Sequence, residues 1–184
     1  SSISSKLNNI FSEIVKDKSG NLWIAAFNEG LSMIDLNKPL IQNYSFPSIR
    51  EKTGFITNIK NIYEDGDGDL WIDQNRWGVG IFNPGTNKLQ LYTDIPSLKN
   101  VPNLRNISCI ISVPLLNEIW LGSEYYPEIY RVKKEKDRIE LLGTLNLSNY
   151  ADNPGFPRIF YEDSKHNLWV VTTKGILVKP EKEK

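Results

Sequence analysis

Apolar positions along the chain fall in short runs, four to a period, separated by clusters of Asp, Asn, Gly and Ser. The first two runs of each period flank such a cluster. Ile14-Val15-Lys16 is followed by Asp17-Lys18-Ser19-Gly20 and then Asn21-Leu22-Trp23-Ile24; Ile62-Tyr63-Glu64 by Asp65-Gly66-Asp67-Gly68 and then Asp69-Leu70-Trp71-Ile72; Phe160-Tyr161-Glu162 by Asp163-Ser164-Lys165-His166 and then Asn167-Leu168-Trp169-Val170. This pattern predicts two strands joined by a tight turn. A third run follows in each copy (Gly30-Leu31-Ser32-Met33-Ile34, Gly80-Ile81-Phe82, Glu128-Ile129-Tyr130-Arg131-Val132, Gly175-Ile176-Leu177-Val178), and a fourth in the first three copies, at residues 40–46, 88–93 and 139–145. No long stretch repeats at 3.6 residues, which excludes a helical solenoid.

The period is set by tryptophan. Trp23, Trp71, Trp120 and Trp169 lie 48, 49 and 49 residues apart. Four short antiparallel strands in such a period, repeated in tandem, match the blade of a β-propeller. The expectation is therefore an all-β chain forming a single propeller segment over residues 1–184. It has about four blades, near 8–47, 56–97, 104–147 and 156–179, the last of them incomplete. The four indoles are expected as packing wedges between successive blades. The third copy is degenerate, since Val113-Pro114-Leu115-Leu116-Asn117 replaces the acidic turn while Ile119-Trp120-Leu121-Gly122 is kept.

Composition narrows the function. Twenty-two Lys plus Arg balance 22 Asp plus Glu, so no basic excess supports nucleic-acid binding. No run approaches the length of a membrane helix, so any membrane attachment would come from other segments. With one Cys and one His, a metal or disulfide scaffold is not expected. Cys109, within Ile107-Ser108-Cys109-Ile110-Ile111, is expected to be a buried small hydrophobe. The absent initiating Met suggests a piece of a longer protein.

The wording of the copies, an acidic turn followed by Gly-Asn-Leu-Trp-Ile and then Gly-Leu or Gly-Ile, resembles the two-component regulator propeller repeat. Ala25 and Asp73 stand where that family often has Gly. The resemblance implies the periplasmic sensor of a hybrid two-component histidine kinase, often one that controls glycan utilisation. It also implies remaining blades in the parent protein as partners; an exposed apolar terminal blade face, a template for association, would instead pair two copies.

Candidate chemistry is sparse. Asp65-Gly66-Asp67-Gly68-Asp69 starts like a calcium loop, but that loop needs Gly and Glu where Leu70 and Arg76 stand. A hairpin turn is the better reading. His166 lies in such a turn next to Lys165 and Asn167, with no Gly-x-Ser-x-Gly or comparable arrangement, and no catalytic residue, metal or cofactor is expected. The connections between second and third strands are more informative: Gln74-Asn75-Arg76-Trp77 and Ser123-Glu124-Tyr125-Tyr126 carry aromatics off the repeat. A planar ring covers the apolar face of a sugar while neighbouring polar groups meet its hydroxyls. Asn75, Arg76, Trp77, Glu124, Tyr125 and Tyr126 are thus the candidate ligand residues, for an oligosaccharide. The alternative is a non-catalytic scaffold for protein partners, in which these side chains cover blade tops.

Overall fold

The computed structural model describes residues 11–26, 30–36, 40–44, 46, 59–74, 78–136 and 138–180. Among these described residues fifteen strands form four antiparallel sheets in chain order. Blade 1 holds β1 (Phe11–Lys16), β2 (Leu22–Ala26), β3 (Gly30–Asp35) and β4 (Leu40–Tyr44); blade 2 holds β5 (Ile59–Glu64), β6 (Leu70–Gln74), β7 (Gly78–Asn83) and β8 (Lys88–Leu91). Blade 3 holds β9 (Ile107–Val113), β10 (Glu118–Ser123), β11 (Glu128–Glu135) and β12 (Arg138–Asn146). Blade 4 has three strands, β13 (Pro157–Glu162), β14 (Leu168–Thr172) and β15 (Ile176–Lys179). Every strand pairs with its sequence neighbour, the meander of a propeller blade. No α-helix occurs among the described residues.

Three apolar cores hold the blades together. Trp23, Leu31, Ile62, Leu70 and Phe82 join blades 1 and 2. Trp71, Ile81, Ile107, Leu121 and Val132 join blades 2 and 3. Trp120, Ile129, Leu168 and Val170 join blades 3 and 4. Three of the repeat indoles are thus buried between sheets, at 3%, 0% and 2% exposure for Trp23, Trp71 and Trp120. Trp169 is half-buried, because none of the three cores lies on that side of blade 4. The first strands β1, β5, β9 and β13 contact one another in succession and line the axis.

Two features follow from small side chains and from an insertion. A Cβ at Gly122 would stand 2.5 Å from Cys109 Sγ and 2.8 Å from Pro157 Cβ, so only Gly lets β10 approach β13 this closely. The connection between β8 and β9 sends Tyr92, Ile95, Leu98 and Leu104 into the core of blades 2 and 3. With Val101 these residues recur at every third position, along a series of tight turns.

Candidate functional site

The chemistry of the acidic turns is structural. Asp17, Asp65 and Asp163 each accept a hydrogen bond from the indole Nε1 of the Trp six residues on, at 2.8, 2.9 and 2.9 Å. Each also accepts from backbone amides of its own turn, as Asp65 does from Asp67 and Asp69. Hydrogen bonds from Asn167 and Trp169 hold Asp163 below the usual carboxylate range. Burial would raise Asp65, but Lys134 and Trp71 outweigh it and hold it low. In degenerate blade 3 the role passes to Glu118, which accepts from Trp120 Nε1 at 2.8 Å and from Arg131.

The carboxylates of Asp65, Asp67 and Asp69 converge on a cation supplied by the chain itself. Lys134 of β11 reaches them at 2.7, 3.1 and 2.7 Å, with its side chain 6% exposed. Burial disfavours the ammonium, yet the three carboxylates raise its pKa above the usual lysine value. His166, with φ 60°, pairs its Nδ1 with Glu162 Oε1 at 2.6 Å on an exposed turn. Cys109 is buried, and desolvation pushes its thiol up to about 12. It is a packing residue, unsuited to thiolate chemistry.

A different set of polar residues gathers near the axis. In all four blades the pairing of first and second strands slips by one residue: between Phe11 and Glu13, Ile59 and Asn61, Ile107 and Cys109, and Pro157 and Ile159. The bulged residues are Ser12, Lys60, Ser108 and Arg158. A bulge re-aims its side chain out of the alternating strand pattern. Ser12 donates to the carbonyl of Ile59, and Ser108 donates to that of Pro157 at 2.6 Å, so each serine ties its blade to the next.

The two basic bulge residues meet on one carboxylate. Glu124, just past β10, lies 3.0 Å from Lys60 Nζ and 3.9 Å from Arg158 Nη1, so one side chain of blade 3 bridges blades 2 and 4. Beside it Asp73 is 1% exposed; Asn61 donates to its Oδ2 at 3.3 Å while Oδ1 has no hydrogen-bond partner. Burial pushes Asp73 up to about 8, against the pull of Lys60 and Asn61. Lys60 and Arg158 thus set two cations against the Glu124 carboxylate, beside an Asp73 carboxyl whose neutral form burial favours. Among the described residues no group of His, Cys, Asp and Glu has the arrangement of a metal site.

The sequence-predicted residues divide between described and undescribed positions. Asn75, Arg76 and Trp77 lie outside the described residues. Glu124 sits in the axial cluster, and Tyr125 and Tyr126 beside it in the chain are 53% and 46% exposed. Sequence reasoning missed Lys60, Asp73 and Arg158. A signal was present: Ser12, Lys60 and Arg158 stand eleven residues ahead of their Trp, and Ser108 twelve. The side chains at that offset differ, so no shared residue type marked it.

Neither a protein-family model nor a curated protein matches the chain in sequence. Solved structures do match it in shape. The extracellular domain of the putative hybrid two-component system BT3049 from B. thetaiotaomicron superposes with a TM-score of 0.69 at 19% identity, over 91% of this chain and 21% of that one. The corresponding domain of BT4673 from the same organism gives 0.61 at 15% identity, over 93% and 21%. The fold is a β-propeller. The chain spans about a fifth of either of those two domains. The same fold also carries enzymes, such as the gluconolactonase XC5397 from Xanthomonas campestris, with a TM-score of 0.63 at 12% identity over 92% of this chain and 58% of that one. Shape alone therefore leaves the chemistry to the site.

Proposed function

We propose that this chain is a ligand-sensing segment of the extracytoplasmic β-propeller of a hybrid two-component histidine kinase, facing the periplasm, and that it binds an oligosaccharide without catalysis. The observation that carries this reading is the cluster at one end of the blades: Lys60, Glu124 and Arg158 from three successive blades, with exposed Tyr125 and Tyr126 adjoining. Rigid strands hold charged donors and acceptors there while the tyrosines offer apolar faces, the combination a pyranose needs. Neighbours in shape that are extracellular domains of two-component systems support the sensory role. A non-catalytic role is supported by how the carboxylates are used, since Asp17, Asp65, Asp163 and Glu118 are committed to indole hydrogen bonds.

The test is calorimetric titration with a panel of neutral and acidic oligosaccharides, on the parent ectodomain and on this chain. Saturable binding is expected in the ectodomain, weakened roughly tenfold by Tyr125→Ala or Tyr126→Ala. Binding that survives both substitutions together with Lys60→Ala would remove the site. A scaffold for protein partners is the second reading, favoured by the apolar residues Ile159, Tyr161, Ile176 and Val178 exposed on blade 4.

A further inference from the structure

The bulge near the start of each first strand recurs in all four blades, but the side chain it carries alternates in kind. In blades 1 and 3 it is a serine, and Ser12 and Ser108 donate to the carbonyls of Ile59 and Pro157 in the next blade. In blades 2 and 4 it is Lys60 and Arg158, and among the described residues neither donates to a backbone carbonyl. The bulge therefore does not itself call for a cation. The two cations it carries are re-aimed instead onto one carboxylate, Glu124.

One of these cations is surplus. Lys60 Nζ lies 3.0 Å from Glu124 Oε1, a charge-assisted hydrogen bond. Arg158 Nη1 is 3.9 Å from the same oxygen, outside hydrogen-bond distance, and its side chain is 40% exposed. Its planar fork of donors, which matches a carboxylate in two parallel hydrogen bonds, is left unused by Glu124. Beside Glu124 two buried polar atoms also lack hydrogen-bond partners among the described residues, Asp73 Oδ1 and Ser123 Oγ. Both flank Ile107: Ser123 is its strand partner, and its amide acts on the Asp73 carboxyl. Buried polar atoms are ordinarily paired, so two open ones next to a spare cation point to a further polar group at this place.

We propose that Lys60 and Arg158 form an anion subsite at the axis, and that the sensed oligosaccharide is an acidic one whose uronate carboxylate binds the Arg158 fork. The inference rests on the oligosaccharide reading and narrows it. Glu124 shows which anion fits, because the chain already sets a carboxylate against both cations. A second carboxylate, brought by the ligand, matches the second cation. A neutral sugar gives Arg158 hydroxyl acceptors only, whereas a uronate gives it a charge-assisted pair. Tyr125 and Tyr126, the next residues after Glu124, are exposed to cover the apolar face of the same ring.

Calorimetric titration of the parent ectodomain tests it. The probes are uronic-acid oligosaccharides and the same oligosaccharides with each carboxyl reduced to a primary alcohol, which keeps the rings and their other hydroxyls. The acidic probe should bind roughly tenfold more tightly than its reduced counterpart, and that margin should shrink as salt is added. Arg158→Gln should bring the acidic probe down to the affinity of the reduced one, and Arg158→Lys should retain part of the margin. Glu124→Gln, which keeps the shape and hydrogen bonding of the side chain, should tighten the acidic probe because a competing carboxylate is gone. Equal affinity for the two probes overturns the proposal and leaves the oligosaccharide reading standing; binding of neither probe removes both. A margin that survives Arg158→Gln, or one seen only with sulfated oligosaccharides free of uronate, also overturns it.

Discussion

Asp73 stands on β6 where Ala25, Gly122 and Val171 stand in the other blades, so the repeat does not need a carboxyl there. Its neutral form is favoured by burial, and it binds its proton more tightly in the folded chain than in the unfolded one. Stability from this group is therefore complete below the ordinary aspartate value of 3.8 and falls as pH rises toward about 8, above which it is flat. Asp73→Asn removes the titration. Urea unfolding should show the wild type losing stability between pH 5 and pH 8, and the variant losing markedly less. An equal loss in both would mean that the slope arises elsewhere. The sequence marked Asp73 as a departure from the repeat but could not reveal its burial, because the residues around it, Lys60, Asn61 and Glu124, come from two blades.

The hairpin with its Asp and Trp was legible in the sequence, since turn residues and a rare aromatic recur in fixed order; the other half of the indole contact was less so. In blade 3 the acceptor moves from six residues before the Trp to two, as Glu118, and the turn becomes a 3-10 turn over Pro114–Leu116. That exchange leaves no local signature. The segment 92–106 was harder to read for another reason: its core residues Tyr92, Ile95, Leu98, Val101 and Leu104 recur at every third position, the spacing of successive tight turns, while Pro96 and Pro102 interrupt any helix. Equivalent indoles are not equal in energy. Trp71→Ala should cost about 3–5 kcal/mol, the range for a large buried aromatic, whereas Trp169→Ala should cost clearly less, because its ring meets solvent on one side. Chemical denaturation of the two variants checks the ordering, and equal losses would contradict the core assignments.

At the scale of the molecule, each sheet is stabilised by its immediate neighbours, as in other repeat proteins, so opening is expected to be graded along the chain. Blades 2 and 3 each lie between two cores, and blades 1 and 4 each border one. Native-state hydrogen exchange should therefore protect the inner strands of blades 2 and 3 (β6, β7, β10 and β11) longest and release those of blades 1 and 4 first; uniform protection would indicate a single cooperative ring. The propeller architecture was readable from the tryptophan period and the short apolar runs within it. The axial cluster was not, because it unites residues of three blades at long separation, Lys60 and Asp73 with Glu124 and Arg158, of which only Glu124 was picked out as a candidate in the sequence. One consequence reaches into the environment of the protein. Because Lys134 supplies the counter-charge for the triple-aspartate turn from within the chain, that turn should be indifferent to chelators and to swings in external calcium. Thermal melts in EDTA and in millimolar calcium chloride should coincide.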